Sequence, residues 1–373
     1  MDFEGLEEGL NDGWKQFIST VEGSISLNDN ACELCSNFIK DGNKLFKTIS
    51  AYDHILSNVA KRPNHKIENT LCLILPFLKA YNVTDMATLE FSRRNIMTIP
   101  GVRKTMRFVQ EFMTPFIIAT SYEHYVSAVC DAISFPIENV YCTALELDSL
   151  DIGMHEAEIL KNTAREIVNL NLSYVPYSVK SMDDLSPQDL DIIQRLDEIF
   201  LEELTDLSSY SLISDVNPLG NEEKASVILD SRRRSGISLE DTCYVGSSMT
   251  DVNSFQLVRD GHGLTISFNG DEYALEEAEF ALISENTVAI SVLTEVFHKR
   301  GLDGVNDLAE DWTMRGLREM STVNPYLLKE FERTFSSNMP VLTKVSKDNI
   351  ETLARQGTIA LNSIRCNHMN SLS

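Results

Sequence analysis

Three sets of residues have types and spacings that could do chemistry. Cys32 and Cys35 form a Cys-x-x-Cys in NACELCSNF. A zinc site needs a second pair or nearby histidines, and none follows at suitable spacing. A redox pair needs a strand just before it and an exposed, electropositive setting. Here Ala31, Leu34, Cys35 and Phe38 recur at helical spacing, which assigns the thiols to a core. Gly261-x-Gly263 lacks the third glycine and following helix of a dinucleotide loop and reads as a turn. The third set, Thr20, Thr120 and Asp251, stands at or just beyond the ends of short apolar runs, where a ligand-binding edge would lie.

The elements that would position this third set follow a repeating pattern. Phe17-Ile18 reaches Ser19-Thr20-Val21-Glu22-Gly23, and Asn28-Asp29-Asn30 then opens a helical pattern. That is a buried strand, a glycine turn and a helix capped by Asp29. Pro115 to Thr120 (PFIIAT) runs into Ser121 and a helix through His124 and Val129. Thr242 to Gly246 (TCYVG) leads into Ser247-Ser248-Met249-Thr250-Asp251 and another helix. LTISF (264–268) and FALIS (280–284) complete five strands. Strands alternating with helices predict a parallel sheet with helices on both faces, which binds ligands beyond the carboxyl ends of its strands.

The expected organisation is an α/β core over 12–34 and 110–300, interrupted twice. Some eighty residues of helical pattern between the first two strands exceed the dozen or so a crossover requires. A helical cap over 35–109 is therefore expected. A second, acid-rich insertion spans about 150–215, and its Leu190, Ile193, Leu196, Ile199 and Phe200 recur at helical spacing beside a solvated face. Residues 301–373 read as a helical, polar C-terminal extension anchored by Trp312.

Composition limits the partners. In 373 residues, Lys+Arg number 32 and Asp+Glu 56, so the formal charge is 32 − 56 = −24. Such a surface repels phosphate backbones and anionic lipid, so neither nucleic acid nor membrane is an expected partner. The first sixteen residues carry five acids and one lysine, unlike a secretory leader. Leu71 to Leu78 (LCLILPFL) is too short to span a bilayer. Seven cysteines, an odd number, suit free thiols in a reducing cytoplasm.

Four segments in chain order resemble the haloacid dehalogenase-like (HAD) superfamily, in its phosphoserine-phosphatase-like branch with a helical cap. FISTVEGSIS is similar to motif one, normally hydrophobic-Asp-x-Asp/Glu-Gly; FIIATSYEHYV to motif two; PLGNEEKASVILDSRRRSGIS to motif three; CYVGSSMTDVNSF to motif four, usually Gly-Asp-Ser-x-x-Asp. The likeness covers most of residues 14–300 and is nearest to an archaeal group of phosphatase-like proteins. It implies a Rossmann-like core with a parallel sheet and a cap as its appendage; residues 301–373 lie outside the likeness.

Phosphoryl transfer through a covalent intermediate needs a nucleophilic carboxylate, a metal to screen charge, an acid/base and donors for the phosphoryl oxygens. Carried over by motif, the resemblance places Glu22 at the acid/base position, Thr120 and Lys224 on the phosphate, and Asp251 at the second motif-four acid. It also exposes two departures. Thr20 occupies the nucleophile position, and Ser247 replaces the first motif-four Asp, one of the metal ligands. A threonine hydroxyl is a poor nucleophile without a base, and a poor magnesium ligand. Magnesium binding is therefore expected to be weak or absent.

Asp2-Phe3-Glu4-Gly5-Leu6 imitates motif one in letters but has no strand before it. Asp148 reads as a loop acid and His124 as structural, and Cys366 and His368 receive no role. Two functions stay open. One is a phosphatase-like protein with lost or strongly reduced phosphomonoesterase activity, binding a phosphorylated small molecule, a protein partner or a second copy. The other is an active magnesium-dependent hydrolase in which Glu22 or water attacks.

Overall fold

The computed structural model describes residues 13–63, 65, 68–172, 175 and 178–372, so the Asp2–Leu6 mimic lies outside the described residues. The chain enters through β1 (Lys15–Thr20), buried from Gln16 onward as a central parallel strand must be. The first insertion supplies helices α1 (Asn30–Phe38), α2 (Gly42–His54), α3 (Thr70–Leu73), α4 (Leu75–Ala80), α5 (Asp85–Asn95) and α6 (Val102–Val109). Then come β2 (Met113–Tyr122), α7 (Glu123–Ile133) and β3 (Val140–Thr143). The second insertion contributes α8 (Met154–Asn169) and α9 (Pro187–Glu198).

The chain returns to the sheet through α10 (Asn221–Ser235), β4 (Thr242–Gly246), α11 (Val252–Asp260), β5 (Leu264–Phe268), α12 (Glu272–Glu277) and β6 (Phe280–Ile283). It ends with α13 (Val288–Glu310), α14 (Pro325–Thr334), β7 (Val341–Lys344) and α15 (Ile350–Leu372).

Seven strands form one sheet in the order β3-β2-β1-β4-β5-β6-β7. All neighbours are parallel except β7, which pairs antiparallel with β6 through Leu282↔Leu342. This is the doubly wound order, whose reversal between β1 and β4 opens a crevice at the carboxyl ends. Ile18 sits between Phe116 and Tyr244 in register, so the middle of the sheet is aromatic and aliphatic on one face.

Two strands escape the sequence pattern. Both β3 (VYCT) and β7 (VLTK) are four-residue edge strands with exposed or half-buried positions, too short for alternation to register. The C-terminal segment thus adds a strand among its helices, and Val305, Leu308, Phe331, Leu342 and Ile364 join the hydrophobic cluster of the sheet. Trp312 anchors it, donating from Nε1 to the Pro340 carbonyl at 2.7 Å and packing edge-on against Phe331. No helix among the described residues is long and apolar enough to cross a membrane.

The two insertions share one core. Leu34, Cys35, Leu45, Ile49 and Tyr52 pack with Leu160, Ile167, Ile193, Leu196 and Phe200. Burying each large side chain contributes roughly 1.5–3 kcal/mol. Phe200 stacks on Tyr52 at 5.8 Å between centroids and meets Phe77 at 6.3 Å. Helix α6, by contrast, packs on the sheet through Val102, Met106 and Val109. A polar clasp joins the insertions: Asp197 accepts from Tyr52 Oη at 2.5 Å and from both Arg62 terminal nitrogens at 2.6 and 2.5 Å.

Removing this clasp should loosen the cap alone. Asp197→Ala leaves Tyr52 and Arg62 without their acceptor, at a cost of roughly 1–3 kcal/mol. Hydrogen exchange should speed up in α2 and α9 while the sheet amides keep their protection; uniform loosening would mean the cap is not a separate unit of stability.

Candidate functional site

The crevice between β1 and β4 is built by two turns pressed together. After β1 the chain turns at Gly23, whose φ of +76° favours glycine. A Cβ at Gly23 would also lie 2.3 Å from Ser247 Oγ, so the turn can close on β4 only with glycine. Ser247 Oγ donates to the Glu22 carbonyl at 2.8 Å and ties the two strand ends together.

Beneath that contact lies a buried ion pair. Lys224 Nζ, 1% exposed, is 2.9 Å from Asp251 Oδ1 and donates to Thr250 Oγ1 at 2.7 Å. Asp251, fully buried, also accepts from Tyr244 Oη at 2.9 Å on Oδ1, and from the Ser247 and Ser248 amides at 2.8 and 3.1 Å on Oδ2. Both carboxylate oxygens therefore hold two donors. Burial, then the Asp251 charge, raises the Tyr244 phenol well above its usual range. It stays a neutral donor.

Of the remaining motif residues, Glu22 and Thr120 line the opening, whereas Thr20 and Ser247 do not. The Thr20 hydroxyl contacts Ser24 Oγ at 3.2 Å and the Glu22 carbonyl at 3.4 Å, neither of which is a base. Glu22 Oε1 accepts from the Ser121 amide at 3.0 Å, whereas Oε2 is buried without a partner. Thr120 accepts on its carbonyl from Thr143 at 2.5 Å, and its own hydroxyl is buried and unpartnered. Glu22, Thr120, Ser121, Ser248 and Thr250 face Asn30, Phe46, Glu68 and Leu71 of the cap across a cavity of about 280 Å³. Lys224 and Asp251 lie behind this wall rather than in it.

Three acids here gave no chemical signal in the sequence. Asp29 caps α1 through the Cys32 amide at 3.2 Å, as its position predicts, yet it also lines the cavity. Burial raises its carboxyl, with Glu22 adding to the rise. Glu68 is pushed up to about 8, first by burial and then by Asp53, against the pull of Lys224. Asp271 caps α12 through the Ala274 amide at 2.8 Å, accepts from the Met249 amide at 3.2 Å, and is pushed up to about 7, mainly by burial. Only the fold brings residues so distant in sequence to one edge.

The donors present do not suit magnesium. That ion demands near-octahedral oxygen ligands, carboxylates foremost. Thr20, Ser247 and the Glu22 carbonyl offer neutral oxygens, and Asp251 has no lone pair left open. No three metal-ligating side chains converge among the described residues. Cys32 and Cys35 sit in α1 as the helical spacing predicts; burial lifts the Cys32 thiol to about 11 and the Cys35 thiol beyond that. His124 Nε2 lies 3.2 Å from Asp85, outside the cavity wall. Asp148 pins a loop, accepting from the Asp85 amide at 3.1 Å.

The chain shares its fold with the structure of gene product AF1437 from Archaeoglobus fulgidus. That match has a TM-score of 0.75 and 22% identity, over 94% of this chain and 97% of the other. A substrate-bound phosphoserine phosphatase matches with a TM-score of 0.46 and 12% identity, over 74% of this chain and 96% of that one. A HAD family hydrolase from Salmonella enterica serovar Typhi matches at 0.43 and 8%, over 71% and 66%. With TM-scores this low the last two add no weight. No protein-family model and no curated protein matches the chain. The fold is α/β: a Rossmann-like, mostly parallel sheet with inserted helices and a mainly helical C-terminal extension, shared with the archaeal gene product.

Asp271 makes stability depend on pH. Its carboxyl keeps a proton in the folded state that the unfolded chain releases near pH 4. Folding stability should therefore fall as pH rises from about 4 to about 7. Asp271→Asn keeps a cap acceptor for Ala274 and should reduce that fall, leaving the slope due to Glu68, which is pushed up to about 8. Urea unfolding across this range measures it; identical slopes in both proteins would mean that Asp271 ionises normally.

Proposed function

We propose that this chain is a HAD phosphatase-like protein in which phosphomonoester hydrolysis is lost or strongly reduced, leaving a ligand-binding cavity between cap and core. The observation that carries this reading is the state of the two altered positions. Thr20 points a hydroxyl, with no base beside it, from the strand end where a covalent route needs a carboxylate. Ser247 ties itself to the Glu22 carbonyl instead of offering an acid to a metal.

An aspartyl-phosphate cycle has no nucleophile in this arrangement. A serine or threonine can attack phosphorus only when a neighbour takes its proton, and Ser24 and a main-chain carbonyl do not. The Lys224–Asp251 pair persists as a structural unit, since it braces the turn after β4 by four donor contacts. Free thiols at every described cysteine suit a reducing cytoplasm.

A second reading has one observation in its favour. Glu22 Oε2 lacks a partner and could attack phosphorus or activate a water. That role would take Glu22 away from the acid/base position, so turnover by this route would be slow.

Hydrolysis of an aryl phosphate with magnesium and with chelator decides between the two. We expect no magnesium-dependent turnover above a Lys224→Ala control. The double substitution Thr20→Asp with Ser247→Asp should gain magnesium-dependent activity, because it restores a nucleophile and a ligand at adjoining strand ends. Turnover by the unmodified chain that Glu22→Gln abolishes would favour the second reading.

A further inference from the structure

The ligand class can be read from the same cavity, and this step rests on the proposal that hydrolysis is lost. Three acidic residues, Glu22, Asp29 and Glu68, stand in its wall, with no lysine, arginine or histidine among the described lining residues. The nearby buried cation, Lys224, is neutralised by Asp251 and lies behind Thr250. A phosphate dianion entering here would meet acids and no free cation. The formal charge of −24 over the whole chain draws cations and repels anions in the same sense.

Unmet hydrogen bonds point the same way. Asn30 is 2% exposed, and its amide nitrogen donates to Ser92 Oγ at 3.3 Å. The Ser92 proton is itself committed to the Thr88 carbonyl at 2.8 Å, so the amide cannot be turned round. That fixes Asn30 Oδ1 as the end without a partner. Together with Glu22 Oε2, it makes two buried acceptors at one cavity that lack donors, beside the unpartnered Thr120 hydroxyl, which can donate as well as accept; such groups are costly to leave unmet. A phosphate dianion brings more acceptors. An ammonium group brings three donors and the opposite charge.

We infer that the cavity binds the ammonium end of a small organic amine, with Glu22 Oε2 and Asn30 Oδ1 accepting its protons and Asp29 and Glu68 beside it in the wall. Phe46 and Leu71 give the wall apolar surface for a short carbon chain, which a bare metal ion would not use.

Calorimetric titration of the whole chain at low salt tests this with four probes: 1,4-diaminobutane, the neutral 1,4-butanediol, inorganic phosphate and magnesium chloride. The diamine alone should bind. Glu22→Gln retains an acceptor for the Ser121 amide and so preserves the turn, but it should weaken diamine binding by roughly tenfold or more. Glu68→Gln should weaken it less. Phosphate or magnesium binding without a diamine response overturns the inference, as do equal responses to diamine and diol, unchanged affinity in both variants, or silence from all four probes. Phosphatase turnover in the separate assay would remove the reading of lost hydrolysis, while the diamine titration would still decide what the cavity takes.

Discussion

The structure of this site depends on one carboxylate that has no access to solvent. Asp251 is held by a lysine, a phenol and two main-chain amides, and each of those partners belongs to a different task. Lys224 fixes α10 against β4, Tyr244 places its ring in the packing beneath the sheet, and the two amides shape the turn that carries Ser247. Removing a partner would leave a charge buried without compensation, which costs far more than the pair itself contributes. Conservation of charge in the interior, rather than catalysis, is enough to hold this constellation in place.

The cap gives the crevice a closed side. Its helices come from two stretches of chain separated by β2, α7 and β3, and they pack as one body because neither stretch can bury its apolar stripe alone. Tyr52, Arg62 and Asp197 then fix the angle between them. The consequence for the site is that Asn30 and Glu68, from the first stretch, are held over Glu22 and Thr120. Charges on the wall of that space act on whatever enters more strongly than they would in open water.

Sequence and structure agree best where the chain is periodic and buried. The runs ending at Thr20, Thr120 and Gly246 were legible as buried strands because each carries a short apolar stretch that breaks off into a polar turn. The helical spacing around Cys35 likewise announced a core. The electrostatic character of the cavity was not legible. Asp29 reads as a helix cap, which it is, and Glu68 as one acid among 56 Asp and Glu residues; nothing local reports that both face Glu22.

By itself, the amino-acid sequence determined the α/β class, the order of the core elements and the absence of an acid at positions 20 and 247. Those are properties of local pattern and residue identity, which need no knowledge of distant contacts. Tertiary structure decided that the second insertion packs with the first, that β3 and β7 extend the sheet, and that Asp251 is saturated while Glu22 and Asn30 keep acceptors unmet. Such facts follow from pairing across long sequence separations, where burial and a partner's distance set the chemistry of a group more than its own identity does.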